Sequence, residues 1–403
     1  MARNVSSSVP SGLQIGKRPH AIIQNMKNFS TLMLLLLTMT TSIQTVQAQE
    51  TPPSAEPESG GVVCEPGVYL AEPTDCQLLG PSIYLTDLAR LGMTNPPRPL
   101  PASKADPSLA QLPYRYFHVK DGEYASIYST PGGGGAGQQL PPGFVYISYI
   151  DRVQTDAVYY LMKNGGWILG NGNAVGEIPS FQGLVFHATP RTSFGWAFEQ
   201  IPVLSAPGYG AGKTGAQIYT FETVSIYTTQ LVDNEEWYMI GPNQWVEGRK
   251  VARVIPNTTP QPGVINNRWI DVDLAEQTLA VYENNQLVFA TVMASGLEPY
   301  WTRPGLFQIF QKKESEQMRN NDPSDFYYLD DVPWTMYFDG ARALHGAYWR
   351  TRFGYPQSHG CVNLSVGDAH WIFNWASEGD WVYIHDRTGQ TPTDPALYSS
   401  GAY

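Results

Sequence analysis

Three residues near the C-terminus have the types and spacing for covalent chemistry: His345 in Ala343-Leu344-His345-Gly346, and His359 and Cys361 in Ser358-His359-Gly360-Cys361-Val362-Asn363. The thiolate is the nucleophilic form of cysteine. Free cysteine titrates near pH 8.5, so useful thiolate at neutral pH requires a nearby cation or hydrogen-bond donors. His359 stands two residues before Cys361, on the same side of an extended segment. His345 lies 16 residues upstream, and a base is normally brought in from a separate stretch that fixes its ring against the nucleophile. Residue chemistry leaves the choice between the two histidines open. Gly360, without a Cβ, lets the chain turn sharply and present its amide beside that of Cys361. Two such amides form an oxyanion hole, in which each donor is worth about 3–4 kcal/mol.

Blander readings exist. A lone cysteine can be a buried, inert thiol. His345, His359 and Cys361 could be three zinc ligands, but no second cysteine or clearly placed fourth ligand completes a closed site. No metal or cofactor is expected. His370 and His385 have ordinary structural readings.

Cysteine usage leaves one solitary thiol, which is either buried and inert or retained for its reactivity. Residues 29–40 are an apolar run preceded by Lys27 and followed by Val46-Gln47-Ala48, whose small residues suit signal peptidase. This reads as a secretory signal over residues 1–48, cleaved near Ala48, with Met26 as an alternative start. The continuous run is shorter than the roughly 20 residues a membrane span needs. An exported chain with three cysteines pairs Cys64 with Cys76 and leaves Cys361 as the odd thiol. Beyond residue 48 the chain holds 21 basic and 36 acidic residues, a net −15. Such a field repels phosphates, so nucleic acid is not an expected partner.

The elements that must position the site are mostly strands. Residues 49–61 form a Pro/Ser/Glu/Gly tether, and 62–112 hold the Cys64/Cys76 segment and a Pro-rich linker. Residues 113–256 are dense in Tyr, Trp and β-branched residues between Gly and Pro punctuation, an all-β signature. They contain a repeat: Tyr159 to Gly170 aligns without a gap on Trp237 to Gly248. Each copy reads as strand, tight turn, and a second strand opened by Trp. This pattern resembles the small bacterial SH3-like barrels that accompany cell-wall enzymes, here over residues 113–180 and 181–256. After a linker at 257–263, alternation at Ile270, Val272 and Leu274 opens a three-strand meander. The one convincing helix spans Ser365 to Trp375, capped by Ser365 with Asp368 at the capping-box position. The chain returns as the strand Trp381-Val382-Tyr383-Ile384, before a tail at 388–403.

The pairing of His345-Gly346 with Ser358-His359-Gly360-Cys361-Val362-Asn363 resembles the signature of the L,D-transpeptidase (YkuD-type) catalytic domain, over residues 264–387. Thr302-Arg303-Pro304-Gly305 stands where the family commonly has Thr-Pro-x-Gly, and Asn363 where many members carry arginine. The resemblance implies a mainly β, sandwich-like domain with one helix after the nucleophile. It implies that Cys361 attacks the third residue of a peptidoglycan tetrapeptide stem, expels D-alanine, and passes the acyl group to an amine. His345 would be the base, oriented by the Gly346 carbonyl. Gly360 and Cys361 amides would hold the oxyanion, with Ser358, His359 and Asn363 in support. Stem peptides, cell wall and carbapenem-type β-lactams are the expected partners. The insertion at 311–331 suggests a wall over the donor: Tyr328 and Trp334 are read as facing it, with Met318 and Tyr327 as further candidates. Arg350 and Arg352 are candidates for a substrate carboxylate.

The leading expectation is an exported L,D-transpeptidase forming 3→3 crosslinks. The alternatives are an L,D-carboxypeptidase or amidase with the same thiolate, and an inactive wall-binding protein.

Overall fold

Strand follows strand because aromatic and β-branched runs recur between Gly, Asn and Asp, residues that tolerate the positive φ of tight turns. The structure, a computed structural model, describes residues 88–91, 93, 99–133, 137–170 and 180–398. The segment read as an export signal, the 49–61 tether and the Cys64/Cys76 pair lie outside the described residues. All described residues belong to one compact unit.

After β1 (Ala102–Lys104) the first repeat runs β2 (Arg115–Val119), β3 (Ala125–Tyr128), β4 (Gln138–Leu140), β5 (Phe144–Tyr149), β6 (Asp151–Gln154), β7 (Val158–Leu161) and β8 (Trp167–Gly170). Following β9 (Leu184–Phe186), the second runs β10 (Ser193–Ala197), β11 (Ile201–Leu204), β12 (Lys213–Ile218), β13 (Thr223–Ile226), β14 (Thr228–Val232), β15 (Glu235–Gly241) and β16 (Gln244–Glu247), then β17 (Val251–Val254). The pairings repeat as well. Strand order β4-β3-β8-β7-β6 in one copy matches β12-β11-β16-β15-β14 in the other, while β2 pairs β5 as β10 pairs β13. Leu161 faces Trp167 as Met239 faces Trp245, the same 78-residue offset as in the sequence.

The C-terminal region contributes β18 (Arg268–Asp273), β19 (Thr278–Glu283), β20 (Gln286–Val292), β21 (Gly305–Gln308), β22 (Gln311–Asn320), β23 (Tyr327–Asp339), β24 (Arg342–Gly346), β25 (Val362–Leu364), helix α1 (Val366–Trp375) and β26 (Trp381–His385). The expected meander is β18–β20. Two sheets face each other, β1-β9-β20-β19-β18-β26-β21 and β2-β5-β23-β24-β25 with β22 on β23. Between them lies one core: Ile270, Val272, Leu279, Val281 and Phe289 from the first sheet meet Met336, Phe338, Leu344, Val362 and Leu364 from the second, with Ile372 of α1. This is a β-sandwich, with strands alternating their side chains into the shared interior.

Ser365 caps α1, its Oγ accepting from the Asp368 amide at 3.2 Å. The Asp368 carboxylate accepts from the Gly183 amide at 2.8 Å and from Thr291 Oγ1 at 2.6 Å, tying the helix to the first sheet. Full enclosure pushes this carboxyl up to about 6.

The repeats are joined to the sandwich more closely than a linker at 257–263 suggests. Strand β5 pairs β23 in parallel, Tyr328 facing Val145, and β9 pairs β20. Part of the stretch read as Pro-rich linker is structural: β1 pairs β9, and the Leu109 carbonyl lies 3.0 Å from Nδ1 of His370 on α1.

Candidate active site

Parallel pairing of β24 with β25 brings the two motifs together, because His345 then stands opposite Asn363, two residues beyond Cys361. His345 Nδ1 lies 3.2 Å from the Gly346 carbonyl, the orienting contact expected of it. A ring that donates from Nδ1 has Nε2 as an acceptor. Nε2 lies 3.0 Å from Asn363 Nδ2, whose partner atom Oδ1 accepts from Arg350 Nε at 2.6 Å. Arginine has only donors, so this contact fixes which end of the amide faces the imidazole. Burial lowers His345 to about 4, with the Arg350 charge adding to the effect, so the ring is neutral and basic at neutral pH.

Burial pushes the Cys361 thiol up, opposed by the Ala343 amide and the Arg342 charge. Nucleophile and base are therefore both neutral at rest, and the expectation of a standing thiolate beside a cation gives way to general-base activation during attack. The Cys361 S–H points to the Ala341 carbonyl at 3.8 Å. For its proton to reach His345 it must swing to Nε2, which Asn363 occupies in this state.

Gly360 has φ +107°, and a Cβ there would stand 3.0 Å from Arg342 Nε. Only glycine fits both constraints. Its amide donates to Ser358 Oγ at 3.2 Å, and Ser358 Oγ donates to the Cys361 carbonyl at 2.5 Å. Ser358 thus staples the nucleophile loop, and the Gly360 amide is engaged by it, which makes Cys361 the remaining backbone donor of the expected oxyanion pair. A residue that sequence reasoning placed only in a turn completes the loop. Thr302 Oγ1 donates to the Gly360 carbonyl and accepts from the Gly296 amide, both at 2.9 Å.

His359 has another partner. Its Nε2 lies 3.0 Å from Asp325 Oδ2 at the tip of the β22–β23 hairpin, between the rings of Tyr300 and Tyr327. The geometry leaves His345 as the candidate base and makes His359 part of a pocket wall. The pocket, about 270 Å³, brings together Cys361, His345, Asn363, Ser358, His359 and Arg350. Met318 and Tyr327 of the hairpin also line it.

Three substrate-facing candidates fall elsewhere. Tyr328 points to the opposite face of β23 from Tyr327 and accepts from Gln317 Nε2 at 2.7 Å, as the two-residue period of a strand requires. Trp334 stacks on His370 with ring centroids 3.7 Å apart, packed against α1. Arg352 is exposed and outside the pocket. Among the described residues no group of three His, Cys, Asp or Glu side chains is placed to hold a metal ion.

Fold and site together define a cysteine-dependent acyl-transfer domain built on a β-sandwich. Residues 267–384 match the family model of the YkuD L,D-transpeptidase catalytic domain. Among solved structures, an Enterococcus faecium L,D-transpeptidase is 23% identical, with 30% of this chain and 50% of that one covered and a TM-score of 0.28. The L,D-transpeptidase from Stackebrandtia nassauensis is 28% identical over 32% of this chain and 58% of its own, TM-score 0.26. Mycobacterium tuberculosis L,D-transpeptidase 1 is 19% identical over 39% and 81%, TM-score 0.26. The chain thus spans about half the length of the Enterococcus protein. No curated protein matches it.

Proposed function

We infer that the protein is an exported peptidoglycan L,D-transpeptidase. The observation that carries this reading is a buried histidine with an acceptor Nε2, in one pocket with the Cys361 thiol, inside a domain of this family. Cys361 Sγ attacks the carbonyl of the third residue of a donor tetrapeptide as its proton passes to His345. The tetrahedral oxyanion forms beside the Cys361 amide. Collapse breaks the bond to D-alanine, whose nitrogen takes the proton from His345, and a thioester remains. An amine of a neighbouring stem then attacks, gives its proton to His345 and restores the thiol, leaving a 3→3 crosslink. Water in place of the amine would make the same site an L,D-carboxypeptidase. Export rests on the signal-like N-terminal sequence. The duplicated upstream strands are read as SH3-like, wall-directed repeats.

Intact mass of residues 49–403 after incubation with a carbapenem tests the nucleophile. One adduct on the native protein, absent from Cys361→Ala, is expected. A folded native protein with a free, unmodified thiol would point to an inert cysteine. Incubation with disaccharide-tetrapeptides then separates crosslinked dimers from trimmed monomers.

A further inference from the structure

Arg350 is a charge without a counter-ion. It is part-buried, and among the described residues its nitrogens meet only neutral acceptors: Nε on Asn363 Oδ1 at 2.6 Å, Nη1 on Gln357 Oε1 at 3.0 Å and Nη2 on the Gln357 carbonyl at 2.6 Å. Arg253, Arg268, Arg303 and Arg342 each have a carboxylate within 4.0 Å. Among the described residues Arg350 has none. Burial pulls it down to about 10, which leaves it charged at neutral pH. A part-buried cation with no anion is costly unless something supplies one, and this cation lines the pocket that holds Cys361.

We propose that Arg350 binds the free terminal carboxylate of the donor stem, the one that departs with D-alanine; this rests on the transpeptidase reading above. The leaving nitrogen must take its proton from His345 Nε2. Its carboxylate carbon is two covalent bonds away, each about 1.5 Å. The guanidinium is linked to that same Nε2 through a single amide, by contacts of 2.6 and 3.0 Å. Among the described residues one N–H on each terminal nitrogen has no acceptor, which leaves donors for an incoming carboxylate oxygen. The electrostatics agree. The Arg350 charge opposes protonation of His345, and a carboxylate arriving on the guanidinium offsets that opposition at the step where the imidazole takes the thiol's proton.

The test compares two synthetic stems, one ending in free D-alanine and one in D-alaninamide, by kcat/KM for release of the terminal residue. Wild-type protein is expected to favour the free acid on the order of 10- to 100-fold. Arg350→Gln should bring the ratio near one, and Arg350→Lys should retain part of it, because a point charge replaces the fork. Each ratio is taken within one protein sample, so a reduced folded fraction cancels. Equal use of both stems by the wild type, or an unchanged ratio in Arg350→Gln, would overturn the assignment and leave Arg350 only as the residue that orients Asn363. Turnover of neither stem by the wild type would instead sink the transpeptidase reading itself.

Discussion

As the proposed base, His345 should set the pH dependence of acylation. Its folded pKa lies near 4, below the ordinary value of about 6.5, because burial penalises the imidazolium. The neutral ring is the base, so activity is present above the folded value and lost as pH falls through it. Acylation measured as kcat/KM should stay level from about pH 7 to about pH 5 and halve near pH 4. A limb centred at 6.5 would mean that the ring is solvated in the working enzyme. At this scale the motif spacing alone pointed to Cys361, His345 and Gly360, since each does its work through local chemistry. Residue chemistry alone left both histidines open as the base, because both were near enough in sequence, and only the family resemblance implied His345. The decision rests on Asp325, which reaches His359 from 34 residues away. Thr302 was hidden for the same reason, its tie to Gly360 spanning 58 residues.

Among the elements, the β22–β23 hairpin couples the first repeat to the pocket. Asp331 accepts from Lys163 at 2.5 Å, from Ser315 Oγ at 2.6 Å and from Ser148 Oγ. The Tyr116 hydroxyl donates to the Asp331 carbonyl at 2.9 Å while its ring stacks on Tyr348, 3.4 Å between centroids. These contacts hold the root of a hairpin whose far end carries Met318, Asp325 and Tyr327 into the pocket. Asp331→Ala removes the carboxylate that Lys163, Ser315 and Ser148 share, while the Tyr116 bond to the main-chain carbonyl stays, and should destabilise the protein by roughly 1–3 kcal/mol. Its local signature should be faster amide exchange across residues 318–328 and a higher KM for the donor with a smaller change in kcat. Unchanged exchange there would show that the hairpin is held by its backbone pairing alone. The insertion was visible in the sequence as a break in pattern, but its register was not. A one-residue slip exchanges Tyr327 for Tyr328 on the inner face, and the register is fixed by β24 on one side and β5 on the other, neither of which local pattern reveals.

At the scale of the molecule, duplication was legible and integration was not. Two Trp-centred hairpins align without a gap, so the repeat shows directly in residue identity. By contrast, pairing of β5 with β23 and of β9 with β20 joins segments more than 100 residues apart, and linker-like composition at 257–263 suggests separable units. Residues 264–387 alone would lose both partners. They would expose the free edges of β20 and β23, together with Phe326, Leu329 and Val332, which now pack against Phe117, Val145, Tyr116 and Tyr146. Unpaired edges beside uncovered apolar side chains favour aggregation over folding. Residues 99–398 should therefore unfold in one cooperative thermal transition and form the carbapenem adduct, whereas 264–387 should be poorly soluble or lack a cooperative transition. If the shorter fragment melts cooperatively and is acylated at the same rate, the shared strands are an accessory contact, and the pocket owes its shape to the sandwich alone.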